Sequence, residues 1–193
     1  MSKKAALLVI DVQQSFEHRP YWREDDVPAF RDALLALIAG AEAQNVPIVH
    51  IFHSEGESGP FSRASGLVRA MDWLPQNQAV SFEKHVHNAF TDTGLGAWLE
   101  AHGIGKLIVS GSRTEQCCET TTRVASDLGY EVDYVTEATL TFPMVHPATG
   151  REYSPQEIKE KTELVLADRF AAIKTVAQAL ADLEPAGAAR LPA

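Results

Sequence analysis

Cysteine is scarce in this chain: there are two, adjacent at positions 117 and 118. Neighbouring Cα atoms lie ~3.8 Å apart across a trans peptide, below the ~4.4–6.8 Å that a disulfide usually spans. That spacing argues against a structural bridge within the chain. With no Cys-x-x-Cys pair either, the thiols are expected to be buried or chemically employed. Long apolar runs are also missing. The first, Leu7-Leu8-Val9-Ile10, is closed by Asp11 and is too short for a secretory leader. No stretch approaches the ~20 apolar residues of a membrane span, so no membrane partner is expected and the cytoplasm is the expected address. Positive charge is in deficit, with a formal net charge of −9. A basic face for nucleic acid or anionic lipid is therefore not expected.

What is present is an ordinary globular composition, 45% hydrophobic and 22% charged over 193 residues. That length suits one domain with a full core. Residues 1–183 read as this domain, and the Ala/Pro/Gly-rich 184–193 as a frayed tail.

Short apolar runs alternate with helix-patterned stretches. Strands are expected at Ala5–Ile10, Val46–Phe52, Ala79–Phe82, Lys106–Ser110, Glu131–Thr136 and Phe170–Ile173. Helices are expected at Val27–Ala43, Leu95–His102 and Thr114–Leu128, the last two closed by Gly103 and Gly129. Ser154-Pro155-Gln156-Glu157 carries the N-cap, N1 proline and N3 glutamate of a helix reaching about Leu166. A final helix is expected through Leu183. This alternation predicts a three-layer α/β/α domain on a doubly wound, mainly parallel sheet of about six strands. In such a sheet the functional crevice lies beyond the carboxyl ends of the strands. Asp11, His53 and Cys117 all fall there.

Cys117 follows a buried strand through the turn Gly111-Ser112-Arg113-Thr114 and sits on the first turn of a helix. Free N–H groups and the helix dipole there favour a thiolate and an oxyanion, which predicts a lowered thiol pKa. Two small buried residues at a helix–sheet contact would explain the same sequence. Asp11, at the end of an apolar strand, is a candidate base, or else a turn aspartate. Lys84 follows a strand too, although a lone lysine is more often a solvated charge.

Taken in order, Asp11-Val12-Gln13 with Phe16, Lys84 with Asn88-Ala89-Phe90 and Thr93-Gly94-Leu95, and Gly111-x-x-Thr114-x-x-Cys117 with Thr121 resemble the isochorismatase-like cysteine hydrolases. Nicotinamidases and N-carbamoylsarcosine amidase are relatives within that superfamily. The resemblance spans roughly Ala5 to Thr136 and implies a catalytic triad of Asp11, Lys84 and Cys117. It implies a covalent thioester mechanism, in which Asp11 takes the thiol proton and later activates water. Lys84 would hold the pair in register. It further implies a cis peptide at Ser112–Arg113, and an oxyanion hole from the backbone N–H groups of Arg113 and Cys117. Cys118 is read as helix-to-sheet packing.

The chain also departs from its relatives. Where nicotinamidases carry an Asp-x-His metal pair, this sequence has His53-Ser54-Glu55, with no downstream histidine in Gly59-Pro60-Phe61-Ser62. His50 and His53, three apart on a strand, face opposite ways. No metal and no cofactor are therefore expected, and His53 and Glu55 read either as pocket residues or, more simply, as a solvated loop. Phe16, Trp22, Phe90, Arg113 and Phe142 are candidate substrate contacts, Arg113 either for a substrate carboxylate or in a salt bridge. The segment Thr139–Met144 reads as a lid, a pocket wall or core. The expected function is C–N bond hydrolysis in a small amide, ureido or carbamoyl compound. An isochorismate-type vinyl-ether hydrolase and a non-catalytic, thiol-sensing binding protein on the same fold stand as alternatives. Exposed apolar segments and the resemblance suggest a homo-oligomer, dimer or tetramer.

Overall fold

The computed structural model describes residues 3–183, so the expected tail at 184–193 lies outside the described residues. In chain order the elements are β1 (Lys4–Ile10), α1 (Val27–Ala43), β2 (Ile48–His53), β3 (Val80–Lys84), α2 (Leu95–Ala101), β4 (Ile104–Ser112) and α3 (Glu119–Asp127). There follow β5 (Glu131–Leu140), the two-residue strands β6 (Met144–Val145) and β7 (Glu152–Tyr153), α4 (Pro155–Leu166), β8 (Ala172–Ile173) and α5 (Val176–Ala181). Six strands form one parallel sheet in the order β3-β2-β1-β4-β5-β8, while β6 and β7 pair separately as an antiparallel hairpin.

Helices cover both faces, as an all-parallel sheet requires. On one face Leu7, Val9, Ile48, Ile108 and Val135 meet Phe30, Leu34, Leu37 and Ile38 of α1 and Ala179 of α5. On the other, Leu8, Ile10, Val49, Ile51, Leu107 and Val109 meet Leu95 and Leu99 of α2, Ala125 of α3 and Leu166 of α4. The alternation of β1 residues between the two clusters is the period of two of a strand. Each fully buried Leu, Ile or Phe stabilises the fold by roughly 1.5–3 kcal/mol against exposure. The expected capping box on α4 forms: the Ser154 hydroxyl accepts from Glu157 N, and Glu157 accepts from Ser154 N at 2.9 Å. No helix among the described residues is long and apolar enough to cross a membrane.

The strand order places the topological switch between β1 and β4. The chain builds outward from β1 through β2 to β3, then returns to the other side of β1. Their carboxyl ends are in close contact: Ile10 pairs with Gly111, and a Cβ at Gly111 would lie 2.0 Å from the Ile10 carbonyl oxygen. Only glycine fits there, and its φ of +118° is one that L side chains rarely adopt. Asp11 then turns out of β1 with a φ of +52°.

Three segments differ from the sequence reading. β5 runs on to Leu140, because Thr139 and Leu140 pair with Gly111 and Ser112 beyond a register shift. Thr139–Phe142 is thus fixed core and wall rather than a lid, with Phe142 only 1% exposed. The β6–β7 hairpin was not anticipated. The helix expected from Thr114 begins with a wide π turn over Thr114–Cys118, in which Cys118 N donates to Arg113 O at 3.2 Å.

His50 shares the face of Ile48 and is sealed in the interior, with neither ring nitrogen hydrogen-bonded. Burial lowers its pKa from 6.5 to about 4. The folded value is depressed, so the unfolded chain takes up the proton first as pH falls. The stability is fully present above pH 6.5 and is lost progressively down to about pH 4. Urea unfolding should show about 2 kcal/mol of this loss between pH 7 and 5. His50→Leu should remove that component; an unchanged pH dependence would refute the assignment.

Candidate active site

Beyond the carboxyl edge of the sheet, three side chains from three strands or their extensions meet. The ammonium of Lys84 donates to Asp11 Oδ2 at 2.7 Å and to Cys117 Sγ at 3.3 Å. Asp11 and Lys84 are 0% exposed and Cys117 is 6% exposed. Lys84 belongs to β3, two strands from β1, a separation of about 10 Å at ordinary strand spacing. A lysine stem is long enough to cross β2 and reach the aspartate. Reading Lys84 as a solvated charge is thereby excluded.

His53 occupies the intervening strand and is paired in register with Lys84. Its Nδ1 lies 3.3 Å from the Lys84 ammonium, and its Nε2 lies 3.4 Å from Glu55 Oε2. Burial first, and then the positive charge of Lys84, lower its pKa, which favours the neutral imidazole. Nδ1 is then the acceptor from Lys84, and Nε2 carries the proton toward Glu55. Of the two readings, His53 lies beside the Asp11–Lys84–Cys117 cluster rather than in a solvated loop, whereas Glu55 is largely exposed. Gln13 completes the frame: its amide donates to His53 O at 2.9 Å, and its oxygen accepts from His53 N at 2.7 Å. The spacing Asp11-x-Gln13 was legible in the sequence, but its partner, the backbone of a strand 40 residues away, was not.

The nucleophile turn is equally constrained. Tyr134 Oη donates to Thr114 O at 2.7 Å, and the Thr114 and Thr139 hydroxyls bond at 2.8 Å. The peptide between Ser112 and Arg113 is cis. Cys118 is fully buried against the sheet, its thiol 3.8 Å from Ser110 O.

The thiol pKa moves opposite to the sequence expectation. Burial, and then the Asp11 carboxylate, push Cys117 well above the usual range, with Lys84 opposing. For Lys84, burial lowers its pKa, but the charges of Asp11 and Cys117 outweigh burial and leave it raised. The resting arrangement is therefore an ammonium–carboxylate pair beside a protonated thiol. Asp11 Oδ1, sealed from solvent and accepting no hydrogen bond, is free to take the thiol proton.

Most candidate substrate contacts gather on one aromatic wall. Phe16 meets Phe61 edge-on at 5.0 Å, and Phe61 lies 5.8 Å from His53. Tyr21 and Trp22 lie against Phe142 at 5.4 and 5.3 Å. The Arg113 guanidinium is 4.9 Å from the Tyr21 ring and 5.7 Å from that of Phe142. Of the two readings of Arg113, the salt bridge holds, but it is buried rather than at the surface: Nη2 is 2.9 Å from Glu115 Oε1. Phe90 departs from the group, its ring stacked on Tyr130 just before the amino end of β5. Among the described residues no group of three or more His, Cys, Asp or Glu side chains converges as a metal site.

The family model for the isochorismatase domain matches residues 5–180. The isochorismatase family protein YrdC of Bacillus subtilis, itself uncharacterized, is 26% identical over 184 residues, covering 94% of this chain and 97% of its own. Nicotinamidase 3 of Arabidopsis thaliana is 31% identical over 157 residues, covering 77% of this chain and 79% of its own. Among solved structures, an isochorismatase-family protein of Chromobacterium violaceum is 28% identical, with a TM-score of 0.85 over 94% of each chain. The fold is a doubly wound α/β domain with a buried thiol beyond the edge of its sheet, and the chain belongs to the isochorismatase family of hydrolases.

Two outcomes are expected. At pH 8, iodoacetamide should label Cys117 faster in Asp11→Asn than in the wild type, because the negative charge that raises the thiol is gone. Cys118 should stay unlabelled until unfolding. Equal labelling of both cysteines, or no effect of Asp11→Asn, would contradict the electrostatics. Second, Lys84→Met strands a buried carboxylate and should cost about 3–5 kcal/mol. Adding Asp11→Asn should restore much of that loss in urea unfolding; additive losses would show that the pair is not coupled.

Proposed function

We propose that this protein is a cysteine hydrolase that cleaves a C–N bond in a small amide, ureido or carbamoyl compound through a thioester. One observation carries the reading: a single buried ammonium touches both a carboxylate and a thiol, at 2.7 and 3.3 Å. A vinyl-ether hydrolase has no use for that thiol. The relative named as a nicotinamidase, 31% identical, lends support to amide chemistry.

In this mechanism Asp11 accepts the Cys117 proton as sulfur attacks the substrate carbonyl. Lys84 stabilises the ionised pair and holds both groups in line. The backbone N–H groups of Arg113 and Cys117 receive the developing oxyanion, the interaction that strengthens most on the way to the transition state. The tetrahedral intermediate collapses, and the leaving nitrogen takes the proton from Asp11 and departs as ammonia or amine. Water then gives a proton to Asp11 and attacks the thioester. The acid is released, and the sulfur recovers its proton from Asp11. The high resting thiol pKa fits this sequence, because the thiolate forms as a substrate carbonyl arrives rather than waiting exposed to oxidants. Fixed placement of base and nucleophile removes the entropy cost of assembling them at each turnover.

The test is ammonia release from a panel of small amides, carbamoyl compounds and ureido acids, with isochorismate assayed in parallel. Cys117→Ala should lose about a thousandfold or more of the wild-type rate while keeping its thermal midpoint. Asp11→Asn should lose most of it. Amide hydrolysis retained in Cys117→Ala would sink the thioester route. Isochorismate cleaved equally by the wild type and Cys117→Ala would establish the vinyl-ether reaction instead.

A further inference from the structure

The aromatic wall holds two arginines that differ in what neutralises them. Arg113 is matched by Glu115 at 2.9 Å, and Glu115 in turn accepts from the Thr141 hydroxyl at 2.6 Å. Arg19, at the end of the 3-10 turn that follows β1, has no such partner. Its guanidinium lies 5.5 Å from the Tyr21 ring and 5.8 Å from the Phe61 ring. Its Nε, like that of Arg113, is sealed from solvent without a hydrogen-bond partner; unlike Arg113, the side chain makes no salt bridge among the described residues. Elsewhere in the chain Arg63, Arg69, Arg123 and Arg151 each hold a carboxylate.

Aromatic contacts of this kind contribute about 0.5–2 kcal/mol, yet they leave the planar N–H donors unused. A guanidinium so placed is built to receive an anion bidentately. Its position ties it to the reacting groups from two sides. Phe61 is shared with His53, which touches Lys84; Tyr21 is shared with Arg113, in the turn that carries Cys117. Inside the site the charges of Asp11 and Lys84 cancel, as do those of Arg113 and Glu115. Arg19 is thus a surplus positive charge on the aromatic wall beside the site, on a chain whose formal net charge is −9.

We propose that Arg19 is the anion-recognition residue of this site, and that the substrate is a small amide or ureide with a carboxylate remote from its scissile C–N bond. The substrate half of this inference rests on the amidohydrolase reading above. The sequence points to Arg113 as the candidate for this task; the buried pairing with Glu115 transfers it to Arg19.

The experiment is calorimetric titration of Cys117→Ala protein, which binds without turnover. The probes are succinamate and N-carbamoylglycine, each beside its uncharged counterpart, succinamide and N-carbamoylglycinamide. Each carboxylate should bind at least about tenfold more tightly than its neutral partner. Arg19→Gln should abolish the difference, Arg19→Lys should retain part of it, and Arg23→Gln, on the exposed neighbour, should leave it intact. Equal affinities within each pair, including failure of both members to bind, overturn the proposal. So does a preference that survives Arg19→Gln in protein with an unchanged thermal midpoint. Ammonia release by the unmutated enzyme separates the two levels. Arg19-dependent binding without release of ammonia from any amide would refute the amidohydrolase reading and leave the anion site standing. Release without any carboxylate preference would refute the anion site alone.

Discussion

The ion pair between Asp11 and Lys84 is the constraint to which the rest of the site answers. Both groups are fully buried, and removing two charges from water costs several kcal/mol each unless geometry and further contacts repay it. Repayment comes from the 2.7 Å contact, from the thiol at 3.3 Å and from the imidazole at 3.3 Å, all converging on one ammonium. A core of leucines in the same place would be at least as stable. The protein instead keeps a polar cluster at the switch point of its sheet, beyond the carboxyl ends where β1 and β4 lie in close contact. The glycine at position 111 is the steric condition for that closeness, since any side chain there would collide with Ile10.

Around this pair the structure supplies fixed dipoles and hydrogen bonds rather than mobile parts. Gln13 grips the backbone of His53 on both its donor and its acceptor, continuing the β1–β2 ladder past the last strand residue. Tyr134 reaches from β5 to the first carbonyl of the nucleophile turn. These are bonds between segments distant in sequence, and they hold Asp11, Lys84 and Cys117 in place through neighbours outside the cluster. Phe142 and the end of β5 close the remaining side as part of the core.

Much of this was legible in the sequence, and the limits have physical causes. α1 and α4 fall where the apolar period and the Ser154–Glu157 capping box put them, because both signals are local. Asp11, Lys84 and Cys117 stand at strand ends or just beyond, and their ordered motifs mark them. What escaped depends on tertiary proximity. The neutralisation of Arg113 by Glu115, the seat of His53 between Lys84 and Glu55, and the departure of Phe90 toward Tyr130 are set by which elements pack together. Helix periodicity cannot distinguish the wide turn at Thr114–Cys118 from an ordinary first turn, and the two-residue strands β6 and β7 are too short to show alternation. The thiol shift reversed its expected sign for a related reason. A helix start favours a thiolate, but full burial beside a carboxylate outweighs it, and burial is a property of the whole fold.

Asp11, Lys84 and Cys117, the proposed reacting groups, come from the end of β1, from β3 and from the turn after β4, and no two of them are neighbours in the chain. Asp11 and Lys84 are 73 residues apart, and Lys84 and Cys117 are 33 apart. The β1–β4 pairing that sets the crevice joins residues about as distant as Leu8 and Val109. Such contacts carry the largest loop-closure cost and form late in folding relative to local helices. A nascent or partly folded chain can hold α1 or α4 and still present a scattered aspartate, lysine and cysteine with no contact among them. The Asp11–Lys84–Cys117 cluster therefore comes into existence with the completed sheet, and its reassembly on refolding reports the longest-range pairings.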